Sequence, residues 1–145
     1  DADARLLVAG RPRGSGLEER LGAAVAADPR IRLHLGYVPD ADLQVWLRAA
    51  DAVVLPFRDI LTSGSAILAL SFGRPVIAPA LGCLPETVPP TAGILYDPDA
   101  PDALRDALAV ALAGDLTALG AGALARAQEL DWSPIARRTA ELYRR

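Results

Sequence analysis

The sequence predicts an α/β fold in which helices cover both faces of a doubly wound parallel sheet. Short apolar runs alternate with helical stretches along most of the chain, and from Pro101 the pattern is purely helical. Parallel strands buried on both faces have such apolar runs, and their alternation with helices is typical of a parallel sheet. The length of 145 residues fits one domain, and the hydrophobic share of 52% excludes disorder by composition.

Five strands and the helices between them follow from the residue pattern. Residues 31–35 alternate strictly between apolar and polar side chains, which is typical of a strand. Asp40 is placed to cap a helix, and Gly73 with Pro75 ends another, because glycine adopts the left-handed turn after a helix and proline cannot continue it. The predicted strands are 5–10, 31–35, 51–56, 75–79 and 93–96. The predicted helices are 17–27, 40–50 and 63–72, followed by the helical tail.

The charged and sulfur-containing residues mainly exclude classes of function. All 15 basic residues are arginines, spread along a chain of net charge −3, so no basic stripe favours nucleic acid as a partner. Cys83 and His34 are the single cysteine and the single histidine, which excludes a disulfide framework and a cysteine-based zinc site. We therefore expect no metal and no cofactor, and we interpret His34 as a packed or surface residue.

No segment of the sequence has the pattern of a membrane span or of a secretion signal. The apolar runs stay shorter than the about 18 residues that a spanning helix requires. The start of the chain lacks the basic-then-apolar layout of a signal peptide. We expect a cytoplasmic location, with membrane contact only through parts of the protein outside this sequence.

Ligand sites are expected in the loops at the carboxyl ends of the strands, where sheets of this kind bind their ligands. These loops are residues 10–16, 36–40, 56–64 and 79–86. The first loop does not fit the dinucleotide pattern Gly-x-Gly-x-x-Gly; it either places Arg11 or Arg13 near a phosphate or is a flexible turn with solvated arginines. In the last loop, Cys83 is either a reactive thiol or a small buried filler, and Glu86 either completes a helix cap or faces the cleft.

The loop after the third strand is the strongest candidate for an anion site. Thr62-Ser-Gly-Ser65 leads directly into a helix, whose first N–H groups lack internal acceptors and lie at the positive end of the helix dipole. Gly64 has no Cβ to keep a ligand from the backbone, and the hydroxyls of Thr62, Ser63 and Ser65 add donors. The alternative is that Thr62 and Ser63 are ordinary caps. The helix is apolar nearly all round, which predicts deep burial with its N-terminus aimed at the cleft.

Several segments form a series along essentially the whole chain. They are Leu6-Leu-Val-Ala-Gly10, Ile31-Arg-Leu-His-Leu-Gly-Tyr-Val38, Ala50-Asp-Ala-Val-Val-Leu-Pro56, Ala69-Leu-Ser-Phe-Gly-Arg-Pro-Val76, Gly82-Cys-Leu-Pro-Glu86, Gly93-Ile-Leu-Tyr-Asp97 and, in the tail, Asp131-Trp-Ser-Pro-Ile-Ala136 followed by Tyr143. In this order and spacing they resemble the C-terminal, donor-binding domain of glycosyltransferase family 4 and related enzymes. The resemblance implies the Rossmann-like half of a GT-B fold.

Two acidic positions of that family are apolar in this chain. The family carries two glutamates separated by seven residues, and counted back from Gly73 these positions are Ile60 and Leu68. In the family the later glutamate holds the nucleotide ribose and the earlier one contacts the donor sugar. Asp59 lies next to the earlier position and is a candidate substitute, whereas no residue replaces the later one. The ribose contact and the identity of the donor therefore stay open.

The resemblance implies a glycosyltransferase domain that binds a nucleotide diphosphate sugar and transfers its sugar to an acceptor hydroxyl. The implied contacts are Thr62, Ser63, Gly64 and Ser65 for the diphosphate, Tyr37 and Val38 for the nucleotide base, and Arg58 or Asp59 for the donor sugar. Helix N–H groups and cationic side chains would stabilise the departing diphosphate, and no metal is expected.

We expect residues 1–145 to form a single domain and to be a fragment that lacks its first strand–helix unit and its N-terminal acceptor domain. The resemblance implies that the family's basic pair, which neutralises the diphosphate, is lost with the missing strand–helix unit. Any general base for the acceptor hydroxyl would belong to the missing N-terminal domain. Two alternatives keep the same fold. One is a nonenzymatic binding or assembly module with a degenerate nucleotide site, and the other is a sugar-nucleotide epimerase or phosphorylase. Titration with UDP-, GDP- and ADP-sugars would separate the transferase from the module.

Overall fold

The computed structural model describes residues 4–12 and 14–144, so Arg13 and Arg145 lie outside the described residues. The strands are β1 Leu6–Gly10, β2 Ile31–Leu35, β3 Val53–Val54, β4 Val76–Pro79 and β5 Gly93–Tyr96. The helices are α1 Leu17–Ala27, α2 Asp40–Ala49, α3 Gly64–Ser71, α4 Leu84–Thr87, α5 Ala103–Ala113, α6 Leu116–Glu129 and α7 Trp132–Tyr143. Parallel strands that alternate with helices, followed by a helical tail, confirm the predicted fold class.

The strands form two parallel sheets, whereas the sequence led us to expect one sheet. β1 pairs with β2 along its full length, with Leu6 opposite Ile31, and the second sheet has the strand order β3-β4-β5. The chain divides into two compact units, one ending at Trp46 and the other beginning at Leu47. The prediction differs most at β3, which is two residues long and pairs with β4. The pairing ends there because the N–H of Phe57, which would be the next donor towards β4, donates back to the carbonyl of Leu55 at 2.8 Å.

The first unit consists of the β1–β2 sheet with α1 packed along β2. None of its described residues is buried. Asp28, between α1 and β2, accepts hydrogen bonds from the guanidinium of Arg30 at 2.7 Å and from the Arg30 backbone N–H at 2.9 Å. These bonds lower the pKa of Asp28 from 3.8 to about 2. They fix the turn that leads into β2.

The second unit holds the hydrophobic core, and β4 runs through its centre. All four residues of β4 are buried, because the strand has β3 on one side and β5 on the other. Val76 and Ala78 belong to a cluster with residues of α3, α4 and α6. Ile77 packs instead with Ala107 and Ala111 of α5. Since helices cover both faces of β4, this unit is a small doubly wound sheet.

α3 begins and ends where the sequence predicts. Ser63 is its N-cap, and Gly73 adopts the left-handed conformation just beyond its last turn, with φ of 64°. The N–H of Gly73 donates to the carbonyl of Leu70, and the N–H of Arg74 donates to the carbonyl of Ala69, both at 2.9 Å. These two bonds form a Schellman motif. They stop the helix and direct the chain into β4.

The predicted deep burial of α3 is wrong. Ala66, Ala69 and Leu70 form a single buried stripe, at the spacing that places side chains on one face of a helix. Ile67 is 45% exposed, although its side chain is as apolar as those of the buried stripe. An apolar composition all round a helix therefore did not show which of its faces the neighbouring elements cover.

The helical tail is packed to different extents along its length. α5 and α6 contribute buried alanines to the core, whereas α7 has no buried residue. Arg137, Arg138 and Arg144 are exposed, as expected for a solvated helix end. Within the described chain, no single helix is long and apolar enough to cross a membrane. Ala103–Ala113 and Leu116–Tyr143 reach the required length and composition only together, as a pair bent by 104°.

Candidate functional site

The loop after β3 is anchored by two apolar side chains and exposes two charged ones. The N–H of Leu55 continues the β3–β4 pairing by donating to the carbonyl of Ile77 at 2.9 Å. Phe57 and the half-buried Ile60 pack against the cluster of α3, α4 and α6. Arg58 and Asp59, the predicted sugar contacts, are exposed between these two anchors and make no hydrogen bond or ion pair to another described residue. Their charges are thus free for a ligand.

The start of α3 leaves backbone donors unused. The hydroxyl oxygen of Ser63 accepts a hydrogen bond from the N–H of Ala66 at 3.1 Å, and the Ser63 carbonyl accepts one from Ile67 at 3.3 Å. The cap interpretation of Ser63 is therefore confirmed. The N–H groups of Gly64 and Ser65 have no acceptor among the described residues. These two amides lie at the positive end of the helix dipole, where an anion is stabilised.

Most residues of the turn that holds these amides are exposed. Thr62, Gly64 and Ser65 are exposed and Ser63 is half-buried. The hydroxyls of Thr62 and Ser65 make no hydrogen bond to the described part of the chain. The four predicted diphosphate contacts thus lie together in one accessible turn.

The fold itself does not require a glycine at position 64. A Cβ added there would meet no heavy atom within 4 Å, and the backbone has no positive φ. Gly82 differs in both respects, because its φ is 52° and an added Cβ would collide with the carbonyl oxygens of Ile60 and Leu61. Gly64 is explained by neither internal packing nor backbone conformation, which agrees with close approach of a ligand.

The structure brings the loop after β4 against the loop after β3. The N–H of Cys83 donates to the carbonyl of Leu61 at 2.9 Å, next to the close approach of Gly82. Cys83 is half-buried and precedes α4, a four-residue helix. Two of the loops predicted to carry a ligand site are therefore physically joined.

Arg126, on α6, is a part of this region that the sequence analysis did not identify. Its guanidinium donates to the carbonyl of Glu86 at 2.6 Å and to the carbonyl of Thr87 at 3.2 Å, and it pairs with Glu129 at 2.7 Å. The carboxylate of Glu86 is exposed and has no hydrogen-bond partner among the described residues, so a capping role for it is not supported. No local pattern marks Arg126, because its partners on α4 lie about forty residues away.

The two positions where the resembling family has glutamates carry no polar group. Ile60 is half-buried against the core cluster, and Leu68 is half-buried on α3. In the described part of the chain, no group of three or more His, Cys, Asp or Glu residues is arranged to hold a metal ion. The polar groups that this region offers a ligand are amides, hydroxyls, arginines and isolated carboxylates.

The remaining predicted contacts belong to the first unit. Tyr37 follows β2, is 65% exposed, and donates its hydroxyl to Asp40 at 3.2 Å. This bond raises the pKa of Tyr37 above its usual value. Val38 is half-buried. The ring of His34 lies 5.3 Å from that of Trp46, so it is an exposed histidine packed on an aromatic side chain, as predicted.

Comparison with known proteins decides the family. The model of the family described as glycosyl transferases group 1 matches residues 1–114. The chain belongs to this family. The resemblance seen in the sequence is thereby confirmed.

The curated relatives are longer glycosyl transferases. The D-inositol 3-phosphate glycosyltransferase of Corynebacterium kroppenstedtii is 33% identical over 99% of this chain and 33% of its own length. The GDP-mannose:glycolipid 4-beta-D-mannosyltransferase of Xanthomonas campestris pv. campestris is 35% identical over 63% of this chain and 27% of its own. The chain thus spans about a third or less of the length of these relatives.

Solved structures agree with the family fold. The sucrose-phosphate synthase of Thermosynechococcus elongatus is similar with a TM-score of 0.77 and 32% identity, over 97% of this chain and 38% of that one. The C-terminal domain of a glycosyl transferase group 1 family protein from Francisella tularensis has a TM-score of 0.71 at 16% identity, over 87% of this chain and 86% of that one. The second similarity concerns the fold alone.

Proposed function

We propose that this chain is the donor-binding part of a glycosyltransferase that takes a sugar from a nucleoside diphosphate sugar. The observation that carries the proposal is the start of α3, where the N–H groups of Gly64 and Ser65 have no acceptor among the described residues. This turn lies at the carboxyl end of β3, the edge at which parallel α/β sheets bind ligands. Membership of the glycosyl transferases group 1 family supports a sugar donor.

The chemistry of transfer explains why such a turn is useful. The bond between the anomeric carbon and the diphosphate breaks, a bond to the acceptor hydroxyl forms, and the acceptor proton passes to a base. Negative charge grows on the departing diphosphate, and fixed N–H and O–H donors stabilise it without reorganising. Thr62, Ser63, Gly64 and Ser65 would supply these donors. Because the sequence contains no lysine, the cationic side chains that this chain can contribute are arginines.

The other predicted contacts complete the proposal. Arg58 and Asp59 are exposed and unpaired among the described residues, so an arginine cation and a carboxylate are available for sugar hydroxyls. Tyr37 and Val38, in the first unit, are proposed to contact the nucleotide base. The acceptor site and the general base are proposed to lie in an N-terminal domain, since the chain spans about a third of the first of these relatives.

Donor binding to the protein that contains this chain tests the proposal. Isothermal titration calorimetry with GDP-mannose, UDP-glucose and ADP-glucose should detect binding of at least one of them. Gly64→Val should weaken that binding by at least about tenfold, because the added side chain blocks charge-assisted hydrogen bonds to the two amides. The fold should persist, since a Cβ at position 64 meets no neighbouring atom.

Gly22→Val is the matched control. Gly22 is also helical, exposed and free of contacts to an added Cβ, but it lies on α1 in the first unit. Its variant should bind the donor as the unmodified protein does. Unchanged donor affinity in Gly64→Val would contradict the proposed diphosphate site.

A nonenzymatic binding module is the second candidate. It is favoured by Ile60 and Leu68, which place apolar side chains where the resembling family has glutamates, and by the packing of Ile60 into the core cluster. Absence of binding for all three nucleotide sugars would favour the module over the transferase.

A further inference from the structure

We propose that Arg126 is a positioning residue for the diphosphate loop, residues 60–65. Its guanidinium holds α4 from the side of α6, and α4 in turn holds this loop. The inference rests on the proposed function, because it assigns Arg126 a role in donor binding. It concerns a residue that does not itself contact the donor.

Arg126 binds the end of α4 whose backbone groups most need partners. The last carbonyls of a helix have no donors within the helix. The guanidinium donates to two of them, at Glu86 with 2.6 Å and at Thr87 with 3.2 Å. A charged donor makes such bonds roughly twice as strong as neutral ones. Glu129, which lies on α6 like Arg126, accepts a third bond from the guanidinium at 2.7 Å and so orients it.

The other end of α4 is bound to the diphosphate loop. The N–H of Cys83 donates to the carbonyl of Leu61 at 2.9 Å, one residue before Thr62. Gly82 approaches the same loop so closely that no side chain would fit between them. The hydroxyl of Thr87, the last residue of α4, donates to the carbonyl of Cys83, the residue before α4, at 2.8 Å. This bond ties the two ends of α4 together.

Besides this series of contacts, the diphosphate loop is held by the packing of Ile60 and by the cap bonds of Ser63. Thr62 and Ser65 are exposed and have no hydrogen-bond partner for their side chains in the described chain. A donor that binds a less ordered loop must first order it, and that conformational entropy reduces affinity. Loss of Arg126 should therefore weaken donor binding through the loop.

Arg126 does not belong to the hydrophobic core. Its side chain is 24% exposed, and it is not among the residues packed in the core cluster, although the adjacent Ala127 is. Replacing Arg126 should thus loosen α4 while the core around β4 keeps its packing. This separation distinguishes a positioning role from a general contribution to stability.

The test compares Arg126→Ala with two controls, in the protein that contains this chain and with whichever of GDP-mannose, UDP-glucose and ADP-glucose binds most tightly. Arg126→Ala should lower donor affinity about tenfold, because the donor must then order the released loop when it binds. Millimolar guanidinium should restore part of the affinity. Arg105→Ala removes only exposed ion pairs to Asp102 and Asp106 and should leave affinity unchanged. Glu129→Gln keeps both carbonyl contacts and should have a smaller effect than Arg126→Ala.

Amide hydrogen exchange separates a local loosening of α4 from a general loss of stability. In Arg126→Ala the N–H of Cys83 should exchange faster, while the N–H of Val76 in β4 keeps its protection. Equal donor affinity in the unmodified protein and in Arg126→Ala would overturn the inference alone. Faster exchange throughout β4 would assign Arg126 to general stability and also overturn it. If the unmodified protein binds none of the three donors, the proposed function fails, and the role of Arg126 in donor binding fails with it.

Discussion

The two units of this chain have similar strand and helix patterns but different interiors. In the first unit, none of the described residues is buried. In the second unit, the buried hydrophobic residues extend from Ala66 on α3 to Ala123 on α6. β1 and β4 show the contrast most clearly, since β1 has exposed and half-buried residues whereas every residue of β4 is buried.

The difference in burial depends on what surrounds each strand. The residue pattern of a strand does not contain that information. β4 has a strand on each side and helices against both faces. β1 and β2 form a two-stranded sheet, and such a sheet is marginally stable by itself. The diphosphate loop and its supports from α4 and α6 belong to the unit with the core. The free energy of unfolding should therefore depend mainly on the packing of that unit, and substitutions in each unit can test this.

The largest effect is expected from opening the core of the second unit. Leu70→Ala removes a fully buried side chain on α3 and should lower the free energy of unfolding by about 3 kcal/mol, because it leaves a cavity. Leu33→Ala removes a half-buried side chain on β2 and should cost about 1 kcal/mol. Urea denaturation measures both changes. Equal losses would show that the two interiors contribute alike.

A smaller effect is expected at the start of α3. Ser63→Ala removes the oxygen that accepts from the N–H of Ala66 and should lower the free energy of unfolding by about 1 kcal/mol. Ser71 lies on the same helix, but its hydroxyl donates back to the carbonyl of Ile67 at 2.8 Å. Because such bonds do not complete a helix end, Ser71→Ala should change stability by less than about 0.5 kcal/mol. Thermal denaturation of the two variants compares them directly, and a larger loss in Ser71→Ala would contradict the assigned cap.

The smallest effect concerns the acid response of the first unit. The bonds from Arg30 hold the pKa of Asp28 at about 2 in the folded protein, below the ordinary value of 3.8 for an aspartate. A lowered pKa stabilises the fold above the unfolded-state value, and this contribution is lost as the pH falls through about 2. An NMR titration of the Asp28 carboxyl should give a midpoint near 2, and Arg30→Gln should raise it toward 3.8. A midpoint near 3.8 in the unmodified protein would disprove this hydrogen-bonded turn.

Local features of the fold could be predicted from the sequence. Ser63 and Gly73 define the ends of α3 through contacts within a few residues, and both are confirmed. The order of strands and helices was predictable for the same reason, because periodicity is a local property. The prediction was wrong where burial depends on distant neighbours, as on α3, and α4 was too short to leave a periodic pattern.

In the candidate site, too, the local features could be predicted and the contacts between distant segments could not. Thr62-Ser-Gly-Ser65 could be selected from residue types alone, and its accessible amides agree with that choice. The bond from Cys83 to Leu61 and the clamp of Arg126 on α4 join segments that are distant in sequence. No residue pattern marks contacts between segments so far apart in sequence, so these contacts are visible only in the folded chain.

The shortness of β3 also affects the time scale on which the site can open. β3 leads into the diphosphate loop, and its two residues are half-buried. To detach, it needs to break bonds such as those from Val53 to Pro75 and from Leu55 to Ile77, whereas detaching β4 would disrupt both neighbouring strands. Local opening costs less free energy where fewer contacts are broken, so it is more frequent at β3 than at β4. The loop that follows β3 should therefore open locally while the rest of the unit stays folded.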